Sequence, residues 1–413
     1  MTTIIIRNAR LIDGLSPAPR EGVDLLLCEG RIAAIGAKLA APGGSREIDA
    51  AGCTVLPGLI DAHVHLAFDG SLDPVGHLLA ESPYTTLLKA AANAAQSLRR
   101  GVTTVRDLGG PGGLILALRE AVRQGIIMGP RILAAGQVIT TTGGHCHFMG
   151  HQADDLPAVR RAARCEIEQG VDLLKVMATG GSLTPGSPAD AIQFGRAEIA
   201  AAVDEARARG LRVAAHANAL GGLRHAVDAG VTSIEHGSYA DRETLERMRE
   251  LGTFWVPTMA PARIILEGPG AGLIPPERSA SAVKNWRARR RAVTEGIRLG
   301  VRLAAGTDAG VTITQHGLVA LEVETFAALG LPPMQAIWTA TRWAAELLGL
   351  EAEVGTLAEG RAADLILVRG DPLQDLSLLR QPAQVIQAGA VVECPVPPWP
   401  VEAMPCSAIE DGF

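Results

Sequence analysis

A chain of 413 residues with 47% hydrophobic but only 3% aromatic residues must build its core from Ala, Val, Leu and Ile. That length allows one large barrel plus an accessory domain, or two or three smaller units. A net charge of −6 with dispersed Lys and Arg argues against a nucleic-acid partner, and no apolar stretch reaches the length of a membrane span.

The opening segment, MTTIIIRNARLIDG, lacks the basic start, apolar run and small-residue cleavage site of a signal peptide, so the expected location is cytoplasmic. Up to about residue 55 the chain reads as short strands punctuated by Gly and Pro: TIIIRNARLID, VDLLLCEGRIAAIG and AGCTVLPG. The same texture returns from Val354 in VGTLAEGRAADLILVRG and AQVIQAGAVVE. The expectation is a small β-sandwich domain assembled from both ends, residues 1–57 and 354–413, around a different middle, residues 58–353.

In that middle, apolar runs alternate with helical segments. The strands in order are LIDAHVH, VTTVRD, RILAAG, LLKVM, RVAAHA, SIEHG, FWVPT and RLAAG, and PAVRRAARCEIEQG, RAEIAAAVDEARARG and RETLERMRELG are helices that end at Gly. Eight strands alternating with helices predict an α/β fold closed as a (β/α)8 barrel. An open doubly wound sheet competes, but no Gly-rich dinucleotide fingerprint follows any of these strands.

The first of the strands carries chemistry. In LPGLIDAHVHLAF, His63 and His65 stand two residues apart and therefore share one face. Burying two imidazoles is costly unless each has a partner, and one metal ion serves both; a satisfied core histidine with an incidental neighbour is the competing explanation. Barrel chemistry sits at the C-terminal ends of the strands. There the chain places Lys175 in DLLKVMATGG, His216 in VAAHAN, His236 in SIEHGS and Asp308 in AAGTDAG, each after an apolar run. One shared site accounts for all six better than six separate burials.

The ordered set H-x-H, Lys, His, His, Asp resembles the amidohydrolase superfamily over nearly the whole chain. GLIDAHVHL, GVTTVRDLGG, TTGGHCH, IEHG and GTDAG are similar to its branch of imidazolonepropionase-like proteins and Xaa-Pro dipeptidases, or prolidases. The resemblance implies two divalent ions, His63, His65 and Asp308 holding one, His216 and His236 the other. Lys175, carboxylated by CO2, bridges them, since a protonated lysine cannot ligate a cation; a snorkelling or ion-paired lysine is the alternative. The N and O donors suit Zn²⁺ while leaving Mn²⁺ and Co²⁺ open. The resemblance also implies a hydroxide shared by the ions as nucleophile, Asp308 as general base, and His145 as hydrogen-bond donor to the oxyanion.

The other candidates carry less. His147 reads as a loop histidine and Cys146 as a passive thiol, while His77, His151 and His225 read as ordinary surface or helix residues. None of the six cysteines, Cys28, Cys53, Cys146, Cys165, Cys394 and Cys406, forms a C-x-x-C pair, and free thiols are expected. A substrate carboxylate could find Arg106, Tyr84, Tyr239, Arg263 or His316, and Asn218 stands where related dipeptidases carry a tyrosine. The Gly- and Pro-rich stretch from Ala260 to Ser279 is either a lid or a solvated loop. The expected activity is hydrolysis of an L-Xaa-L-Pro dipeptide or small N-acyl amino acid. A cyclic amide, carbamate or arylamide substrate is the alternative within enzymes, and a metal-binding scaffold without turnover the alternative outside them. Apart from its small-molecule substrate, the expected partner is a second copy of the chain in a homo-oligomer.

Overall fold

The computed structural model describes residues 3–267, 272–274 and 276–393. Both ends of the chain pair into one eight-stranded mixed sheet. Ile4–Leu11 runs antiparallel to Arg20–Cys28 and parallel to Arg46–Asp49 and Cys53–Pro57. Arg31–Gly36 forms one edge, and Cys53–Pro57 recruits Leu365–Arg369, Gln384–Gln387 and Ala390–Val391 from the far end. The alternation of each strand gives the sheet an apolar face, on which Ile4, Ile6, Leu25, Leu27, Val55, Leu365 and Leu367 are buried together. Cys53–Pro57 leads through Gly58 directly into Leu59–Val64, so this sheet anchors the strand that carries His63.

The middle is α/β with parallel strands. Leu59–Val64, Val102–Asp107 and Arg131–Ala134 form one sheet; Gly150–Gln152, Val138–Thr140, Leu173–Met177, Arg212–Ala217, Ser233–His236 and Phe254–Val256 form a second, in that order. Leu59–Val64 and Leu173–Met177 are buried at every residue, as parallel strands covered on both faces must be. The expected helices form at Leu156–Glu168, Arg196–Arg207 and Arg242–Leu251. Asp155 and Asp241 cap two of them by accepting from the backbone N–H of Ala158 and Thr244. Gly252 ends the last in the left-handed conformation, φ 69°. No helix among the described residues is long and apolar enough to cross a membrane.

The structure departs from the expected string of strands in two places. After Arg131–Ala134 come two further short strands, Val138–Thr140 and Gly150–Gln152, which bracket the TTGGHCHFMG segment and pair with each other. The last expected strand, RLAAG, forms no ladder; it makes a single bridge, Leu303 with Trp255, and beyond it Ala309 bridges Val64. Backbone bonds from Ala304 N to Trp255 O and from Ala62 N to Ala305 O, both 2.9 Å, hold it between the two sheets. Gly306 is the reason it lies so close: a Cβ there would sit 2.8 Å from the Cβ of His63. At their other ends the two sheets meet through Asp172 N and Ala134 O, 3.0 Å apart.

The stretch from Ala260 begins not as a loop but as a helix, Ala260–Glu267, docked through Ala260 and Ile264 onto Ile313, Leu318 and Leu321. A second helix, Pro276–Leu299, follows, while residues 268–271 and 275 lie outside the described residues. Cys28, Cys53, Cys146 and Cys165 are free thiols; Cys394 and Cys406 lie outside the described residues.

Candidate metal centre

The C-terminal ends of the parallel strands converge, and all six predicted ligands arrive in one place. Asp308 Oδ1 lies 3.3 Å from His63 Nε2 and 3.5 Å from His65 Nε2. Donor atoms of His63, His236 and Asp308 all fall within 4.8 Å of one another. Rings then follow in contact, with centroids 5.1 Å apart for His63 and His236, 4.6 Å for His236 and His216, and 4.5 Å for His216 and His145. Lys175, from Leu173–Met177, is buried beside them.

Each imidazole is held by its far nitrogen, which leaves the near one for a cation. His63 Nδ1 meets Glu235 Oε2 at 2.8 Å, His65 Nδ1 the Gly109 carbonyl at 3.0 Å, and His236 Nδ1 Thr258 Oγ1 at 2.7 Å. All three present Nε2. His216 is turned the other way, its Nε2 engaged at 2.9 Å by the Gly180 carbonyl, so that it presents Nδ1. Ligand histidines are oriented by such outer partners, and together with a carboxylate and a buried lysine the donor set fits hard or borderline divalent ions. Asp61 fixes the Asp308 turn by accepting from Thr307 Oγ1 at 2.6 Å and Thr307 N at 2.9 Å. His236, Thr258 and Asp308 adopt φ of 69°, 52° and 55°. Non-glycine residues held there cost about 1–3 kcal/mol each and cluster at functional sites.

Electrostatics keep the donors unprotonated. Burial pushes His65 down to about 4 and His145 to about 3, and drives His216 and His236 well below the ordinary histidine value. Burial would raise Asp308, but His63, His65 and Lys175 hold it well below the usual carboxylate range. Lys175 is lowered to about 8, mainly by burial, so a far larger share of its amine than in an exposed lysine is neutral near pH 7 and competent to add CO2.

His145 reaches the site on the excursion between Val138–Thr140 and Gly150–Gln152. Its Nδ1 lies 3.1 Å from Thr184 Oγ1, an oxygen that already accepts from Cys146 N at 2.9 Å. The Thr184 hydroxyl hydrogen can therefore point at Nδ1, which places the imidazole proton on Nε2. Gly181 makes room: a Cβ there would lie 2.4 Å from that Nε2. Cys146 is buried, its thiol pushed up to about 12 by burial, which suits a passive role. His147 bonds the Gly144 carbonyl, His151 pairs with Glu166 and His225 meets the Phe194 carbonyl. His77 joins Asp69 and Glu81 in a second group of donors, but the Lys89 ammonium contacts both carboxylates and supplies their counter-charge.

The substrate-carboxylate candidates need correction. Arg106 is buried beneath the histidines, donating to the Ala62 carbonyl, Ser233 Oγ and Glu235 Oε1, so its guanidinium belongs to the scaffold. Arg263 is likewise buried, bonded to Glu324 and the Leu321 carbonyl. Tyr84 is 81% exposed, the Tyr239 hydroxyl donates to Asn285, and buried His316 meets the Phe68 carbonyl. Only Asn218 stays at the centre, its Nδ2 3.3 Å from His216 Nε2 and its Oδ1 accepting from Ser238 Oγ at 2.7 Å.

Two residues escaped the sequence reading. One is Glu235, buried between Ile234 and His236, whose only sequence signal is a carboxylate inside the apolar run SIEHG. It accepts from His63, Arg106 and Ser233 Oγ. Burial would raise it, but Arg106 and His63 bring it down to about 2. Glu235→Gln should weaken zinc affinity roughly 10- to 100-fold, as loss of an outer partner does, and destabilise the fold by roughly 3–5 kcal/mol through the orphaned Arg106 charge. Zinc titration and thermal melts read both; undiminished affinity would make Glu235 purely a partner of Arg106. The other is Arg289, half-buried on Pro276–Leu299, which donates to Thr258 and Ser238.

Residues 54–392 match the sequence profile of the Amidohydrolase family. Ochratoxinase of Aspergillus niger is 31% identical over 382 residues, spanning 84% of this chain and 78% of that protein. Imidazolonepropionase of Symbiobacterium thermophilum is 28% identical over 404 residues, spanning 88% and 85%. The crystal structure of a Xaa-Pro dipeptidase with methionine bound in its active site superposes with a TM-score of 0.87 at 32% identity, over 95% of this chain and 100% of that one.

Proposed function

This chain belongs to the amidohydrolase family, and we propose that it hydrolyses the amide bond of an L-Xaa-L-Pro dipeptide or another small N-acyl amino acid with the help of two divalent ions, preferably zinc. The observation that carries this reading is the convergence of Asp308 with His63, His65 and His236 beside a buried lysine. In it, His63, His65 and Asp308 hold one ion, His216 and His236 the other, and carboxylated Lys175 both. It also takes residues 58–353 as a (β/α)8 barrel closed through the 302–309 segment, with 1–57 and 354–413 as the flanking β domain.

When bound, the ions would acidify the attacking water and polarise the scissile carbonyl. The chain does the rest. Asp308, kept ionised, accepts a proton from the attacking water and passes it to the leaving nitrogen, so that water and amide become carboxylic acid and amine. His145 donates from Nε2 to the carbonyl oxygen as its negative charge develops. The strained, hydrogen-bonded backbone around His236, Thr258 and Asp308 holds these groups in place before substrate arrives.

Asn218, standing where related dipeptidases carry a tyrosine, keeps cyclic amides, carbamates and arylamides in the test as the second reading. The zinc-loaded protein should cleave at least one Xaa-Pro dipeptide or N-acyl amino acid in a screen of both classes. Cleavage confined to cyclic amides, carbamates or arylamides would replace the proposed substrate, and none at all would favour the scaffold. Elemental analysis should find close to two ions per chain; full activity with one would remove the binuclear arrangement.

A further inference from the structure

Arg289 is a cation with no carboxylate in hydrogen-bond contact among the described residues; Asp308, which acts on it through space, is already assigned to an ion. Its Nε and Nη2 donate to Ser238 Oγ at 3.0 and 2.9 Å, and its Nη1 donates to the Thr258 carbonyl at 2.6 Å and to Thr258 Oγ1 at 3.2 Å. All of these acceptors are neutral. Among the described residues no carboxylate pairs with it, and one of its five N–H groups, on Nη2, has no acceptor. The nearby carboxyl of Glu322 is buried and bonded to the Ala260 backbone N–H; burial raises it to about 8, so it offers little negative charge at neutral pH.

The acceptors lead to the metal centre. Thr258 Oγ1 also bonds His236 Nδ1 at 2.7 Å, and Ser238 Oγ donates to Asn218, which contacts His216. The guanidinium is thus one residue removed from His236 and two from His216, the histidines assigned to the second ion. Holding a half-buried cation beside a site built for two cations is unfavourable unless an anion arrives with the substrate. The helix that bears it points the same way. Lys284, Arg287, Arg289, Arg290 and Arg291 place five cations in eight residues of a chain whose net charge is −6. Such a patch raises the local concentration of anionic ligands.

We propose that Arg289 is the substrate-binding residue that receives the carboxylate of the leaving amino acid, held for it by Ser238 and Thr258. The inference rests on the amide-hydrolase reading and narrows it to substrates whose leaving amine carries a carboxylate. Asn218, which cannot supply positive charge, then serves as a link between Ser238 and His216.

The test is equilibrium binding to zinc-loaded protein of L-proline and L-phenylalanine against L-prolinamide and L-phenylalaninamide, with wild type, Arg289→Met and Arg289→Lys. A hydrogen bond to a charged group predicts that wild type favours the acids roughly 10- to 100-fold. The ratio should collapse toward one in Arg289→Met and be partly kept in Arg289→Lys. A ratio absent from wild type overturns the proposal. So does one that survives in Arg289→Met, which would put the carboxylate on the ions, or equal weakening of acids and amides, which would make Arg289 structural. Turnover is scored separately. A collapsing ratio without amide hydrolysis removes the proposed function but not the carboxylate site, whereas hydrolysis with an unaltered ratio removes only the site.

Discussion

Lys175→Ala, reconstituted with excess zinc, should hold fewer than two ions per chain and lose at least about 100-fold in kcat. Replacing merely an outer partner of a metal ligand costs about 10- to 100-fold, and Lys175 is assigned as the ligand common to both ions. The side chain is buried with no ion-pair partner among the described residues, so the fold gives it no other evident use. A buried primary amine lowered to about 8 is costly to keep unless it is consumed, and in the proposed arrangement addition to CO2 would turn that cost into a bridging anion. Acetate or propionate should restore part of the activity of the alanine variant by occupying the vacated space. In the wild type only the neutral amine adds CO2, so reconstitution at a fixed dissolved CO2 concentration should quicken as pH rises toward about 8. If Lys175→Ala keeps both ions and wild-type turnover, the lysine is structural and its assignment as the carboxylated ligand common to both ions is wrong.

How much of this was legible before the structure depends on what each residue had to signal. His63 and His65 declare themselves because a period of two inside an apolar strand leaves them one shared face. Lys175, His216 and His236 are legible for a related reason: a polar residue ending an apolar run has to be explained. Helices such as Arg196–Arg207 were readable from their apolar stripe and terminal glycines. Arg106 and Arg263 misled because a charge in sequence says nothing about its partner. Only the fold brings Glu235 to one and Glu324 to the other. Arg289 was hidden differently, inside KNWRARRR, where a run of charges looks like a solvated helix face. The strands Val138–Thr140 and Gly150–Gln152 were missed because three residues cannot establish a period. RLAAG packs Gly306 closely against His63, a tertiary contact no local pattern encodes.

Asp308→Asn and His145→Ala should separate proton transfer from charge stabilisation. Asparagine at 308 still offers an oxygen toward His63 and His65 but cannot take a proton, so the variant should retain much of its metal while kcat falls. Loss of a general base costs about 10²–10⁴-fold, and the weaker oxygen donor would add to this through the ion that the proposal has it share with the two histidines. His145→Ala acts elsewhere. His145 is assigned to no ion, and its Nδ1 is already engaged near Thr184, so metal content should stay at the wild-type value. Removing one oxyanion donor costs about 10²–10³-fold in kcat. The side chain is buried, so a folding control by circular dichroism accompanies the kinetics. Measured side by side on the best substrate, both variants should lose kcat, with metal content reduced only in Asp308→Asn. Near-normal kcat in Asp308→Asn would exclude it as the proton carrier whatever its metal content. A His145→Ala defect confined to KM would move that histidine from stabilising the transition state to binding the ground state, because only an interaction that strengthens as charge develops on the carbonyl oxygen lowers kcat when it is lost.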